Sequence, residues 1–367
     1  MQENRLYLAI LHSLGISHKK FYKIFEQTLF ENNTNYKEFY EKLNSDVLMN
    51  YGFKTEEINN ILKRKKNLKV NFIKNKLEER SVEIIINYED DFPEELKNIP
   101  NIPYLIYVRG QIPSGPKIAV VGSRNITSYG KKVILNLIPN ISKYFIILSG
   151  GAYGVDTEAH LETLKSGNKT IAVIGTSISE DYPTGNKKMY DNIVEKSGAI
   201  ISIFAIGIPG NSYNFPIRNE IVVGLSSGVV VIEAREKSGS LITSKLALDL
   251  GKELFAVPGE VFKLNSVGCN NLIKNGEAKL VNGSIDILEE YNFSNNKKRD
   301  NNLERIKPEF SDELEEKIYN ALLLESYTND ELVKKFNLDI SIISFKLSML
   351  EINGLIKKTL GGKFEIK

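Results

Sequence analysis

The feature that most constrains the fold is a series of short, β-branched apolar runs that alternate with helical segments from about residue 82 onward. The runs cover residues 118–121, 145–148, 170–174, 199–203, 229–232 and 254–257. Strands that are apolar throughout, each separated from the next by a helix, are typical of a parallel sheet covered on both faces. The pattern therefore predicts an α/β domain with a Rossmann-like, doubly wound and mainly parallel sheet.

Sequence on either side of these runs predicts further domains. Residues 1–80 carry apolar side chains at helical spacing and are expected to form a small helical N-terminal domain. The Rossmann-like domain is expected over residues 81–291. Residues 292–308 are almost wholly polar or charged and end in Pro308, so they are predicted to be a linker.

The last segment, residues 309–367, predicts a winged-helix-like domain. One helix is expected from Ser311 to about Leu324, a second is opened by Thr328, and a third covers residues 340–352. Two short β runs around Gly361 then predict a hairpin. The third helix offers Lys346 as its only cation, so we expect this domain to contact protein rather than DNA.

Composition limits which ligands, metal sites and cellular compartment are expected. The 367 residues have a formal net charge of only +2, so any basic surface must be local. The single Cys269 cannot form an internal disulfide, and the three histidines are not spaced with it like a metal site. No apolar run approaches the roughly 18 residues of a membrane span, and the N-terminus does not resemble a secretory signal. We therefore expect a cytoplasmic protein with no metal and no membrane contact.

Ligands of open α/β sheets bind beyond the carboxyl ends of the strands, so the loops at those ends are the candidate sites. These loops carry glycines, hydroxyls and two arginines: Gly122, Ser123 and Arg124; Ser149, Gly150 and Gly151; Arg218 and Asn219; Ser238, Gly239 and Ser240. At one sheet edge they predict an anion groove too long for one small phosphate group, which favours a polymer backbone. Tyr153, Tyr182 and Phe215 either stack bases or pack at the rim.

A hydrolytic triad is not expected, although Ser149, Asp156 and His160 lie close in sequence. Ser149 is not in the G-x-S-x-G turn that presents a nucleophile, and an Asp-His pair at helical spacing is usually a structural hydrogen bond. We assign no catalytic residue.

Taken in order, these segments resemble the DNA-processing protein A (DprA/Smf) family. The matching residues are VVGSRNITSYG around Gly122, SGGAYGVDTEAH from Ser149, TIAVIG from Thr170, YPTGN from Tyr182, FPIRN from Phe215, KSGSLIT from Lys237, VPG from Val257 and GCNNLIKNGEA from Gly268. They cover most of residues 85–283.

The resemblance implies a Rossmann-like homodimer that binds single-stranded DNA and helps load RecA recombinase onto it, in natural transformation and recombination. It implies no cofactor and no reaction. By position, the residues carried over to the DNA groove are those of the strand-exit loops named above, from Gly122 to Ser240.

The chain departs from the family pattern at acidic positions. Glu220 stands where the family commonly has a cation, and Glu180 and Asp181 precede Tyr182 where a basic residue would favour DNA. Residues 201–204 read ISIF where the family commonly has I-S-E. We expect a lower affinity for DNA as a result, with Lys187 and Lys188 as substitute cations.

Two other functions use the same scaffold. A nucleotide-processing enzyme similar to the LOG-type phosphoribohydrolases would need a P-G-G-x-G-T-x-x-E stretch, but the chain has SGSLIT from Ser238 and no acid follows to act on a glycosidic bond. A sensor of a free nucleotide would bind mononucleotide tightly and gain nothing from a longer strand.

Overall fold

The computed structural model describes residues 3–16, 18–25, 35–293, 310–359 and 361–366. The chain divides into two compact units, Met1–Arg299 and Asp300–Lys367. Within the described residues, none of the helices combines the length and the apolar character needed to cross a bilayer.

Among its described residues, the first unit begins with the helices α1 Glu3–His12, α2 His18–Phe25, α3 Tyr36–Lys42, α4 Ser45–Asn50, α5 Thr55–Asn67 and α6 Val70–Glu79. Their apolar residues, such as Leu8 and Ile73, share one core with Ile84, Tyr107 and Ile174 of the following sheet region. The predicted boundary at residue 80 falls between α6 and the first strand, and a separate helical domain there stays a prediction.

A nine-stranded sheet forms the centre of this unit: β1 Val82–Ile86, β2 Leu105–Gly110, β3 Lys117–Val121, β4 Ile146–Ser149, β5 Thr170–Val173, β6 Ala199–Ser202, β7 Gly228–Val231, β8 Glu253–Ala256 and β9 Lys279–Leu280. The strand order is β1-β2-β6-β5-β4-β3-β7-β8-β9. The pairs from β6 to β9 are parallel, whereas β1 and β2 add to the β6 edge in antiparallel fashion.

The six strands predicted from the apolar runs are each found within one residue of the expected bounds. Their residues alternate between two cores, since Ala119 and Val121 belong to one and Ile118 and Val120 to the other. Helices α7 Ser128–Ile141, α8 Val155–Lys165, α9 Lys187–Glu195, α10 Asn214–Leu225, α11 Gly239–Asp249, α12 Val267–Lys274 and α13 Ser284–Glu290 complete the unit. The predicted Rossmann-like sheet is confirmed. The strands β1, β2 and β9 were not predicted.

The strand order reverses between β3 and β7. From β3 the chain adds β4, β5 and β6 on one side, and then returns to place β7 on the other side of β3. In doubly wound sheets, the crevice beyond the carboxyl ends of the strands at such a reversal is where ligands bind. The loops after β3 and β7 therefore occupy the position that the fold favours for a ligand.

The second unit contains α14 Glu313–Leu324, α15 Asn329–Phe336, α16 Ile340–Ile352 and a hairpin of β10 Ile356–Lys358 with β11 Phe364–Ile366. Thr328 caps α15 as predicted, with its side chain accepting from the Glu331 amide. The order of three helices and a hairpin is the one predicted for a winged helix. Residues 294–308 of the predicted linker lie outside the described residues.

Candidate nucleic-acid interface

A groove lies at the carboxyl ends of β3, β4 and β5. It is lined by Arg124, Gly150, Gly151, Ala152, Tyr153, Gly175, Tyr182, Pro183, Phe215 and Arg218, and we call it the strand-exit groove. Of the residues predicted from sequence, it brings together Arg124, Gly150, Gly151 and Arg218, along with the three aromatic side chains. Its cavity of about 50 Å³ is open to one side and much smaller than the ~300–1,000 Å³ typical of small-molecule pockets.

Arg124 is the exposed cation of the groove. Its guanidinium carbon lies 5.3 Å from the centre of the Phe215 ring. Among the described residues no carboxylate pairs with it, so its charge is available to a ligand. An arginine in this state binds phosphate oxygens through its planar fork of N–H donors.

The aromatic rings at the rim are partly open to solvent. Tyr153 and Tyr182 keep 50% and 49% of their surface exposed, and the Tyr182 and Phe215 rings lie 5.9 Å apart. Rings that are held by neighbours on one side and open on the other suit stacking with nucleobases. The rim therefore offers one cation and flat apolar surfaces side by side.

The glycine-rich loop after β4 forms a rigid floor. The Gly151 carbonyl accepts from Asn186 Nδ2 and from the Tyr190 hydroxyl, both at 3.0 Å, and the Ala152 carbonyl accepts from the Thr157 hydroxyl at 2.7 Å. Gly151 has φ +70°, a conformation that strains other residues. The carbonyls of this loop thus accept hydrogen bonds from side chains of the protein itself, and these bonds fix the loop without a ligand.

Arg218 lies beneath this floor and differs from Arg124. Only 4% of the residue is exposed, and its Nη1 donates to the carbonyls of Gly150 and of Val173, the latter at 2.6 Å. Its Nε donates to Asn219 Oδ1 at 3.1 Å. A Cβ at position 150 would collide with the guanidinium, which explains the glycine there. The two arginines that appear equivalent in the sequence therefore have different surroundings.

Asp156 supplies the buried counter-charge. Burial raises the pKa of its carboxyl, while Arg218 and the amide of Ala152, which donates to Oδ2 at 3.2 Å, act in the opposite direction. His160 is buried as well. Its own burial, and secondly the charge of Arg218, lower the pKa of its imidazole to about 3. His160 is thus neutral at physiological pH.

Ser149, Asp156 and His160 do not form a catalytic relay. The Ser149 hydroxyl donates to the Val120 carbonyl at 2.6 Å, and His160 Nδ1 bonds the Thr170 hydroxyl at 2.7 Å. The hydrogen bond between Asp156 and His160 that their spacing suggested is not found among the described residues; each binds other groups. All three positions are buried, so Ser149 serves the floor of the groove rather than its surface.

Gly122 and Ser123 shape the loop that carries Arg124. A Cβ at position 122 would meet Val155, and the Ser123 carbonyl accepts from the Val155 amide at 3.1 Å. The Ser123 hydroxyl bonds the backbone of Asn125. These contacts place the Arg124 side chain at the mouth of the groove.

Two of the three acidic departures, Asp181 and Glu220, have hydrogen-bond partners elsewhere in the first unit. Asp181 receives both Nη atoms of Arg80, at 2.7 and 2.9 Å, and lies 3.6 Å from Arg109 Nη1. Glu220 accepts from the backbone and side chain of Asn101 at 3.0–3.1 Å. Asp181 therefore fixes the segment before Tyr182, and its charge is compensated. Glu180 is exposed.

The remaining predicted residues lie outside the groove lining. Lys187 and Lys188 are exposed at the start of α9, and no ion pair involves them in the described part of the chain. Ser238 caps α11, its hydroxyl lying 2.8 Å from that of Ser240. These three residues, Ser238, Gly239 and Ser240, lie in the loop after β7. Strand β7 is the neighbour of β3, whose following loop carries Arg124.

Glu233, which belongs to none of the sequence motifs, lies at the amino terminus of α7. Its carboxylate accepts from the amide of Thr127 at 3.0 Å and from the Thr127 hydroxyl, and only 3% of the residue is exposed. A helix amino terminus at the strand-order reversal is where dinucleotide-binding sheets hold a pyrophosphate. Here a carboxylate of the chain itself takes that position.

Together these features define a Rossmann-like α/β protein with a cationic, aromatic groove at the strand exits. The family model described as DNA recombination-mediator protein A matches residues 83–292, and the chain belongs to that family.

Relatives and solved structures agree with this assignment. The chain is 40% identical to the DNA processing protein DprA of Streptococcus pneumoniae over 207 residues, 56% of this chain and 73% of that one. It is 37% identical to that of Bacillus subtilis over 216 residues, 58% and 72% of the two chains.

The fold matches the crystal structure of Streptococcus pneumoniae DprA with a TM-score of 0.64 and 32% identity, over 79% of this chain and 98% of that one. A structure of the Helicobacter pylori protein, described for its single-stranded-DNA binding mode, matches with a TM-score of 0.52 and 28% identity, over 57% and 95% of the two chains.

Proposed function

We propose that the chain binds single-stranded DNA in the strand-exit groove and presents it for recombination without catalysing a reaction. The observation that carries this proposal is Arg124, an exposed guanidinium with no carboxylate partner in the described chain, set against Phe215 and beside Tyr182. Phosphate and base are the two parts of a nucleotide strand, and these side chains suit one each.

Two features favour a strand over a free nucleotide. The cavity of about 50 Å³ is too small to enclose a nucleotide, so a ligand lies across the groove. The helix terminus that would hold a pyrophosphate is occupied by Glu233. Both features also argue against the nucleotide-processing enzyme and the nucleotide sensor.

The absence of catalysis is supported by how the polar groups are used. Ser149 and His160 bond Val120 and Thr170 instead of each other, and neither is exposed to a ligand. The pKa of the Cys269 thiol is raised to about 12 by burial, which makes it a poor nucleophile.

Family membership supports a role in recombination and natural transformation, with single-stranded DNA as the ligand named for the Helicobacter pylori relative. We further propose RecA recombinase as the protein partner, a homodimer as the working form, and the cytoplasm as its location. In this proposal, Gly122, Ser123, Ser149, Gly150, Gly151, Arg218 and Asn219 shape the groove, whereas Arg124 contacts DNA. Lys187 and Lys188 stay candidate contacts.

A mobility assay tests the proposal with single- and double-stranded oligonucleotides of the same sequence. We expect a clear preference for the single strand and an affinity that rises with its length. Tight binding of mononucleotide with no gain from length would favour the sensor. Release of free base from nucleoside monophosphates would favour the enzyme.

A further inference from the structure

The loop that follows β8 exposes three large apolar side chains. Val261, Phe262 and Leu264 have 77%, 97% and 70% of their surface exposed, and Phe262 is the most exposed large apolar residue of the described chain. Clusters of exposed apolar side chains usually mark a binding surface. The strand-exit groove does not include this loop, so the loop indicates a second contact surface.

Asn265 fixes this loop to the two loops at the strand-order reversal. Its Nδ2 donates to the Asn125 carbonyl at 3.0 Å, its Oδ1 accepts from Arg235 Nε at 2.8 Å, and its carbonyl accepts from the Ala234 amide at 2.8 Å. The loops after β3, β7 and β8 therefore form one connected surface, with Arg124 at one end and Phe262 at the other.

Positive charge accompanies the apolar loop. Arg235 and Lys237 are exposed after β7, and within the described residues neither forms an ion pair. The nearby acids are Glu233, which is buried and bonded to Thr127, Glu236, which is exposed, and Glu260, which lies 3.9 Å from Lys263. With Arg124, the surface thus carries a net positive charge.

We propose that single-stranded DNA continues from the strand-exit groove across the loops after β7 and β8, where Phe262 stacks a base and Arg235 and Lys237 contact phosphates. This inference rests on the proposed function. It gives a role to Ser238, Gly239 and Ser240, which lie outside the groove but on this path, between Arg124 and Phe262.

A single strand is the occupant that these side chains favour. Its unpaired bases expose flat faces that an aromatic ring stacks on without regard to sequence, and its phosphates require cations at intervals. In a duplex the bases are already stacked on one another, so Phe262 has no base face to meet. An apolar contact with a protein or with a second copy of the chain would explain Phe262 but not Arg235 and Lys237, which form no ion pair within the described residues.

The chain contains no tryptophan, so Phe262→Trp introduces a single fluorescent reporter at the proposed stacking position. We expect single-stranded oligonucleotides to quench its emission and duplexes of the same sequence to leave it largely unchanged. Tyr144→Trp is the control, because Tyr144 is 45% exposed but precedes β4, at the amino ends of the parallel strands and away from the strand-exit loops. Equal responses of the two reporters would overturn the inference.

Phe262→Ala provides a second measurement in the full chain. We expect an affinity loss of about 5-fold to 100-fold for strands of roughly 16 nucleotides, and little change for strands of roughly 4 that fit the groove alone. Arg124→Ala should weaken binding of both lengths. An unaffected Arg124→Ala protein would contradict the proposed function, whereas equal affinities of Phe262→Ala and unaltered protein at every length would contradict only the extension.

Light scattering of Phe262→Ala distinguishes single-stranded DNA from a second copy of the chain as the ligand of this loop. An unchanged molar mass together with weaker binding of long strands supports DNA. A fall in molar mass, with affinity per subunit retained, would mean that the loop binds a second copy instead.

Discussion

The guanidinium of Arg218 donates to the backbone carbonyl of Gly150 and holds the glycine-rich loop over the carboxyl ends of the strands. The same nitrogen donates to Val173 at 2.6 Å, and Asp156 supplies the opposite charge nearby. We therefore expect Arg218→Ala to destabilise the protein by about 3–5 kcal/mol, since it removes the charged donor that the buried carbonyls of Gly150 and Val173 share. Denaturant unfolding measures this loss.

Arg124→Ala is the control for that measurement, because Arg124 is exposed and has no ion pair within the described residues. We expect its unfolding free energy to stay within about 0.5 kcal/mol of the unaltered protein. Equal stability of the two alanine variants would mean that Arg218 does not hold the loop.

His160 makes stability depend on pH. Its pKa is lowered to about 3 in the folded protein, by burial first and by Arg218 second, whereas the unfolded side chain has its ordinary value of about 6.5. The unfolded chain thus binds the proton first, and stability present above pH 6.5 is lost as the pH falls toward 3. From this group alone, we expect a loss of about 3 kcal/mol between pH 7 and pH 4.

The comparison with His160→Leu isolates this contribution. The variant should lose less stability on acidification than the unaltered protein, by about the amount given above. Parallel pH profiles of the two proteins would show that His160 is not the group responsible.

Much of the fold is predictable from sequence, because buried parallel strands are apolar throughout. Helices α7 and α11 also begin directly after Thr127 and Ser238, whose side chains cap them. The strands β1 and β2 were missed, since their antiparallel pairing at the β6 edge depends on contacts that no local pattern records. The loops of the groove were located through the rule that ligands lie beyond the carboxyl ends of strands.

The different roles of the two arginines were not predictable. FPIRN and GSRN each present an arginine after a strand or at a helix start, and only tertiary packing reveals that Arg218 is buried and Arg124 exposed. The partners of Asp181 and Glu220 are also distant in sequence, so no local pattern indicates that Arg80 and Asn101 lie beside these acids.

The second unit is expected to contribute little to DNA affinity. Lys346, the only cation of α16, lies 2.5 Å from Asp312 and 3.2 Å from Glu315, so it is not available to a phosphate. Exposed Ile342 and Phe345 on the same helix suit protein contact better. Truncation near Pro308 should leave most single-strand affinity intact in a mobility assay. Loss of that affinity in a folded truncated protein would make the unit a DNA module.

A homodimer should increase affinity for long strands. Two grooves on one strand raise the effective concentration of the second contact, so binding becomes tighter without any new interaction. We expect light scattering across a concentration series to give twice the mass of the 41.4 kDa chain. A strictly monomeric protein that binds long oligonucleotides with full affinity would contradict this prediction.

The salt dependence of single-strand binding by Arg124→Ala tests the central claim most directly. If Arg124 contacts a phosphate, the variant should bind every sequence more weakly. The slope of log affinity against log salt should also become shallower, by about 0.7 in magnitude. Lys143→Ala is the matched control, since Lys143 is exposed just before β4, at the amino ends of the parallel strands. This variant should retain both the affinity and the slope. Unchanged affinity and slope in a folded Arg124→Ala protein would contradict the groove as the site of DNA binding.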